Sequence, residues 1–255
     1  MKKSFQILAL LLFVAYGANA QQEKGIIGST NWLSNWTEFK PAKVDYGEPN
    51  QILAGNISTN TKLLKKNVYL LQGPVYVDNN AVLTIEPGTV IIGDFDSGAA
   101  LVITKGASIV ADGLETDPIV FTSNRSVKKA GDWGGIVILG DAPINKFGGV
   151  ASVNYDLDNA VTVYGGNNPV ASSGILRYVR IEYAGKKVRG SGNFNGLFLG
   201  GVGNKTVIEN VMVSFCAGDS YEVYGGDVVM NKMVSLKASG IDYKFNYGVQ
   251  CKIDN

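Results

Sequence analysis

Within residues 81–113, AVLTIEPGTVIIGDFDSGAALVITKGASIVADG, four short apolar runs follow one another with only small, polar and turn residues between them. No gap has the length or the period of a helix, so each run must find its partners among other strands. Runs of the same kind continue along the chain, at 68–71, 75–77, 82–85, 89–92, 101–103, 108–111, 119–122 and 136–139. They resume at 176–183, 197–199, 207–213, 221–224, 228–235 and 241–245. Val, Ile, Leu, Tyr and Thr dominate them, and the β-branched and aromatic types suit a pleated, half-buried surface.

The runs recur with a coarse period. Val82 to Leu101 is 19 residues, Leu101 to Ile119 is 18, Ile119 to Ile136 is 17, and Val211 to Met233 is 22. A period near 20 points to a solenoid, in which one repeat cannot bury its apolar face alone. Leucine-rich signatures and their helical halves are missing, as are the longer Trp-Asp repeats of propellers. The all-β fold expected is therefore a parallel β-helix, with roughly nine coils of about 20 residues. Inward aliphatic side chains would stack in columns, each contributing roughly 1.5–3 kcal/mol on full burial. A charge at Ile85, Val102 or Val120 is expected to interrupt that stack.

Three segments stand apart from the repeat, which occupies 67–255. Residues 1–20 carry Lys2 and Lys3, an apolar run at 7–16 too short to span a bilayer, and Ala-Asn-Ala at 18–20. That is the pattern of a signal peptide, and it predicts a secreted protein. Residues 21–66 hold Trp32 and Trp36 and read as an N-terminal cap over the open end of the stack. Residues 141–174 carry one weak strand at 161–164 and read as a loop excursion from one face, where function concentrates. The repeat runs to the last residues without a cap. The C-terminal end is therefore expected to be truncated, with a partner over the last rung as the alternative.

Charge and composition exclude several classes. Without Lys2 and Lys3 the chain has 21 basic and 22 acidic side chains, a balance unsuited to nucleic acid. No further apolar run reaches membrane-spanning length, so no transmembrane segment is expected in the mature chain. The chain has no histidine, which removes Ser-His-Asp and Cys-His catalysis and His-ligated metal. Cys216 and Cys251 are the only cysteines. Export permits a disulfide between them, and two small buried thiols are the alternative.

Several motifs occur in a fixed order: VYLLQGPVYVDNNAVLTIEPGTVIIGD, ALVITKGASIVADGLETDPIVFTSN, GDWGGIVILGDAPIN, SGILRYVRIEYAG and NGLFLGGVGNKTVIENVMVS. Over residues 55–250 they resemble the right-handed β-helix region of secreted, surface-associated proteins of Gram-negative bacteria, many delivered by the type IX secretion route. The resemblance implies a right-handed, pectate-lyase-like solenoid at the cell surface or outer membrane, without implying pectate-lyase activity. Relatives carry an acidic run after the GGVG coil. Here it reads GDSYEVYGG, retaining Asp219 and Glu222, and the later acidic pair is reduced to SGIDYKFNYG, with Asp242 beside Lys244.

Candidate chemistry follows from these residues. Asp219, Glu222 and Asp242, with Asp227 nearby, form the best acidic set for Ca²⁺, which takes six to eight oxygens; solvated turn acids are the bland reading. DLDN at 156–159 lacks the Gly and distal Glu of an EF-hand and reads as an Asx turn. Glu182 with Asp219 or Glu222 is the carboxylate pair to consider for glycoside hydrolysis. A lyase would use a base such as Arg180, although Tyr178, Arg180 and Glu182 alternate on one strand face and an exterior Arg180–Glu182 ion pair explains them as well. GGVGNKT at 200–206 lacks phosphate-loop spacing and reads as a corner. GDWGG puts Trp133 at a tight bend, where packing is the commoner role; if exposed, Trp133, Tyr164 and Tyr183 are the candidate aromatics for carbohydrate. The expected function is a non-catalytic scaffold or adhesin-like binder of an extracellular glycan or surface protein. A polysaccharide lyase or glycoside hydrolase working along the groove is the alternative.

Overall fold

The computed structural model describes residues 31–190 and 192–254. The signal peptide expected at 1–20 and the start of the leader, to residue 30, lie outside the described residues. The remainder is an all-β, right-handed parallel β-helix. One short 3-10 turn, Pro41–Lys43, precedes the strands. No helix among the described residues is long and apolar enough to cross a membrane.

The first rung is made by β1 (Gln51–Ile57) and β2 (Thr61–Leu63), and the second by β3 (Val68–Val77) and β4 (Val82–Ile85). The third has β5 (Val90–Gly93), β6 (Ala100–Ile103) and β7 (Ser108–Asp112). In the fourth, β8 (Ile119–Ser123) and β9 (Ile136–Leu139) are followed by an excursion containing β10 (Ala151–Ser152) and β11 (Val163–Tyr164). The chain returns in β12 (Gly174–Glu182), which bends from the fourth rung into the fifth. A small antiparallel pair, β13 (Lys187–Val188) and β14 (Gly192–Asn193), precedes β15 (Leu197–Gly200) and the similarly bent β16 (Val207–Ser214). β17 (Tyr221–Tyr224), β18 (Asp227–Asn231), β19 (Val234–Leu236), β20 (Tyr243–Asn246) and β21 (Gln250–Asp254) finish the described chain.

Each rung contributes to three faces. The first face stacks the N-terminal part of β1 and β3, then β5, β8, the end of β12, the end of β16 and β19. The second stacks the C-terminal part of β1 and β3, then β6, β9, β15, β17 and β20. The third stacks β2, β4, β7, the starts of β12 and β16, β18 and β21. The described residues thus make seven rungs, fewer than the nine read from the sequence. The 19-, 18- and 17-residue spacings compare strands on different faces. True same-face neighbours such as Leu101 and Ile136 are separated by long loops.

The core is a set of columns. On the second face Ile57, Val77, Ile103, Ile138, Leu199, Val223 and Phe245 lie in register through all seven rungs. On the third, Leu63, Ile85, Ala111, Leu176, Ile208, Met230 and Ile253 do the same. Alternation decides which residues enter, because successive side chains on a strand point to opposite sides. Ile85 is in a column, whereas Val102 faces outward into a second apolar cluster and Val120 is buried outside both clusters. The corners repeat too. Tyr178, Asn210 and Lys232 take positive φ at one corner, and Tyr183, Phe215 and Lys237 at the next. That turn at Tyr178 breaks strand alternation and separates Tyr178 from the face shared by Arg180 and Glu182.

Two segments clothe the outside. Residues 51–63, read as part of the cap, form the first rung. Residues 35–50 cross the flank of the first face: Trp36 packs edge-on against Tyr178 at 5.9 Å, Tyr46 reaches Glu182, and Asn50 meets Val68. Residues 35–50 therefore form a lateral strap, while residues 21–30 of the expected cap lie outside the described residues. The excursion folds back over the second face. Ala151, Val153, Leu157 and Tyr164 pack on the outward Val102, Val137, Leu139 and Phe198, forming the second apolar cluster.

Candidate functional site

The outward column of the second face runs Tyr76, Val102, Val137, Phe198, Glu222, Lys244. The excursion covers its apolar part. Beyond Phe198 the column turns polar, and there a cleft of about 530 Å³ opens between the excursion and rungs five to seven. Its aromatic wall is continuous. Tyr155 lies 4.3 Å from Phe194, Phe198 lies 5.4 Å from Tyr224, and Tyr224 lies 4.8 Å from Tyr247, centroid to centroid.

Glu222 sits in that wall, only 5% exposed, with both carboxylate oxygens engaged. Lys244 Nζ is 2.6 Å from Oε1, while Oε2 accepts from Asn195 Nδ2 and, at 3.3 Å, from Tyr155 OH. Asn195 also donates to Tyr155 OH at 2.8 Å, and its Oδ1 accepts the Asp219 N–H at 2.9 Å. Asp219 Oδ2 stands 3.4 Å from the same ammonium, and its Oδ1 accepts the Ile241 N–H. Burial pulls the Lys244 pKa down, but the Glu222 hydrogen bond and charge, joined by Tyr224 and Asp219, outweigh it and hold the ammonium above its ordinary value. Burial and then the Glu222 charge push the Tyr155 phenol well above its ordinary range.

Asp219 and Glu222 therefore converge, as the acidic run suggests, but on a lysine. Asp242 does not join them; its Oδ1 accepts from Ser235 Oγ at 2.5 Å. Asp227 is bound by Asn204 Nδ2 at 2.9 Å. Among the described residues no three His, Cys, Asp or Glu side chains gather as a metal-binding group, so the expected Ca²⁺ set of Asp219, Glu222 and Asp242 is not assembled.

Arg180 and Glu182 lie on the first face, away from this cleft, so Glu182 forms no pair with Asp219 or Glu222. Their ion pair, at 3.7 Å, is not exterior: the side chains are 12% and 1% exposed beneath the strap. Tyr46 OH donates to Glu182 Oε1 at 2.8 Å and accepts from Arg180 Nη2 at 3.2 Å. Burial raises the Glu182 pKa, against the lowering effects of Arg180 and Tyr46. A base must reach its substrate, and Arg180 is covered.

The three aromatics chosen for carbohydrate contact are all buried. Trp133 lies in the solenoid core, stacks with Phe121 at 6.3 Å and donates Nε1–H to Glu182 O at 2.8 Å. It fits because Gly93 has no side chain: a Cβ there would come within 2.6 Å of the indole. Tyr183 stacks on Phe215 at 5.5 Å in a corner ladder. Tyr164 borders the cleft but is pressed over Gly200, where a Cβ would lie 2.8 Å from its ring. The half-buried Tyr155, Tyr224 and Tyr247 line the cleft instead. They, Asn195 and Lys244 escaped the sequence reading because they come from separate segments. The one usable signal was the 22-residue spacing at Val211–Met233, which also separates Glu222 from Lys244.

The cysteines are free. Cys216 closes the corner after the first face and donates Sγ–H to Asp219 O at 3.3 Å, whereas Cys251 is on the third face opposite Val228. Asp158 Oδ1 accepts the Ala160 N–H at 2.9 Å, an Asx turn within DLDN. GGVGNKT forms the corner between β15 and β16.

A solenoid of parallel rungs with a lateral cleft under one folded-back loop defines the class: a right-handed parallel β-helix module. The chain belongs to the pectate-lyase-like beta helix domain family, whose sequence model matches residues 55–255. No curated protein and no solved structure shows a significant match. Family membership fits a carbohydrate-related or binding module, and the fold alone assigns no reaction.

Proposed function

We propose that the protein is a secreted, cell-surface β-helix module that binds an extracellular glycan, without catalysis, in the cleft over its second face. The observation that carries this reading is the composition of the cleft. Half-buried tyrosines Tyr155, Tyr224 and Tyr247 supply flat apolar surface with polar tips, and Asn193, Asn195, Asp219 and Glu222 supply fixed hydrogen-bonding groups. Apolar walls with a few placed polar groups are what recognition of a polyhydroxylated ligand requires.

Binding is favoured over cleavage by the state of the ionisable groups. A lysine acting as proton abstractor needs a lowered pKa, and Lys244 is held in the opposite direction. Both Glu222 oxygens are committed to Lys244, Asn195 and Tyr155. Export rests on the N-terminal Lys2–Lys3, apolar and Ala-Asn-Ala pattern, and surface display by the type IX route on the ordered motifs.

A glycan array on the mature protein tests the reading, with Tyr224→Ala and Tyr247→Ala as site variants. Saturable binding lost in both variants is the expected result, and binding that survives both moves the site elsewhere. A uronate polysaccharide with added calcium is expected to give no unsaturated product. Absorbance that appears and then disappears in Asp219→Ala would establish a lyase instead.

A further inference from the structure

We infer that this cleft takes neutral glycans and turns uronate-bearing ones away, with Asp219 the residue that sets the selection. The inference rests on the binding role proposed for the same cleft. Three charged side chains line it: Asp219, Glu222 and Lys244. One ammonium serves two carboxylates, at 2.6 Å from Glu222 Oε1 and 3.4 Å from Asp219 Oδ2, so the wall carries one uncompensated negative charge. Lys244 is not available to a ligand carboxylate without giving up Glu222, which is nearly fully buried. Lys146 stands at the rim, its ammonium 5.5 Å from the centroid of the Tyr247 ring.

Asp219 is the more exposed of the two acids, its side chain 15% exposed against 6% for Glu222. A hydroxyl can donate to it. A uronate carboxylate beside Asp219 meets a like charge, and the cation that lines the cleft, Lys244, is already paired, a juxtaposition that opposes binding. Glycans whose rings carry only hydroxyl or amide groups face no such penalty.

The experiment compares uronate-containing oligosaccharides with their carboxyl-reduced counterparts, titrated against the mature protein by calorimetry at low and high salt. The neutral form is expected to bind at least about tenfold tighter, equivalent to about 1.4 kcal/mol. Raising the salt concentration should improve only the acidic form, because it screens the repulsion. Asp219→Asn should narrow the gap and Lys244→Gln should widen it, with folding of each checked by thermal melt. The salt series on the unaltered protein stands even if both variants fail to fold. Equal affinity for the two forms, or tighter binding of the acidic one, overturns the selection while leaving glycan binding intact. Failure of every neutral and acidic probe, in both salt conditions, overturns the binding role itself.

Discussion

Lys244 Nζ stands 2.6 Å from Glu222 Oε1, and the two residues face each other across adjacent rungs of the same strand column. An ion pair thus replaces the apolar contact that the excursion makes with the rest of that column. Removing the cation alone leaves a nearly buried carboxylate with only neutral donors. Lys244→Met should lower stability by about 1–2 kcal/mol, less than a fully buried pair because the ammonium is more than one-third exposed. The Lys244→Met/Glu222→Gln double variant should recover much of the loss, as read from a urea double-mutant cycle.

The seven-residue column through Ile138 predicts a different response. Ile138 is fully buried between Ile103 and Leu199. Ile138→Ala should cost about 2–5 kcal/mol in urea unfolding, from lost transfer energy and a cavity that rigid rungs cannot collapse.

Gly93 and Trp133 make a lock-and-space pair. Any side chain at Gly93 meets the indole, so Gly93→Val should destabilise by about 1–3 kcal/mol. Near-ultraviolet circular dichroism should lose the Trp133 signal more than the far-ultraviolet strand signal.

Glu182 gives a signed pH dependence. Its folded pKa lies above the ordinary glutamate value, raised by burial against Arg180 and Tyr46. The native state therefore holds the proton more tightly than the unfolded chain. Its stabilising contribution is fully present below the unfolded pKa and is lost as pH rises through the folded one. The difference in stability between the unaltered protein and Glu182→Gln, measured by denaturation across the acid range, should shift against the unaltered protein as pH rises. A difference that does not change with pH would refute this. Tyr46→Phe, which removes two hydrogen bonds under the strap, should cost about 1–3 kcal/mol, and more as pH rises and Glu182 ionises, because the Tyr46 hydrogen bond favours the charged carboxylate.

The cysteines should differ in reactivity. Burial pushes the Cys216 thiol up to about 12 and Cys251 up to about 11. Since the thiolate is the reactive form, native Cys216 should resist alkylation until the chain unfolds, with Cys251 modified first. Mass spectrometry under non-reducing conditions should find both thiols free.

Much of the coil architecture was legible. The sequence reading of 82–85, 136–139 and 221–224 coincides with β4, β9 and β17. What misled was distance along the chain. Leu101 and Ile119 look one repeat apart but lie on different faces, because the loops between strands vary in length. β1, β2 and β21 escaped notice because their strands carry polar residues at the ends of the stack, where burial no longer enforces alternation. The excursion was recognisable as an interruption. Its packing was not, since Ala151, Val153, Leu157 and Tyr164 serve a surface made by three other strands.

Alternating aliphatic strands dictated by themselves that the chain would wind into parallel rungs, because each residue's side of the pleat is fixed by its neighbours two positions away. Which outward residues meet was decided only by the tertiary structure. Glu222 finds Lys244 through rung register, Tyr155 and Asn195 arrive from loops, and Arg180 vanishes beneath a strap that starts far upstream. Those encounters depend on where long connections close, and closure is a property of the whole coil, invisible to any local stretch of residues.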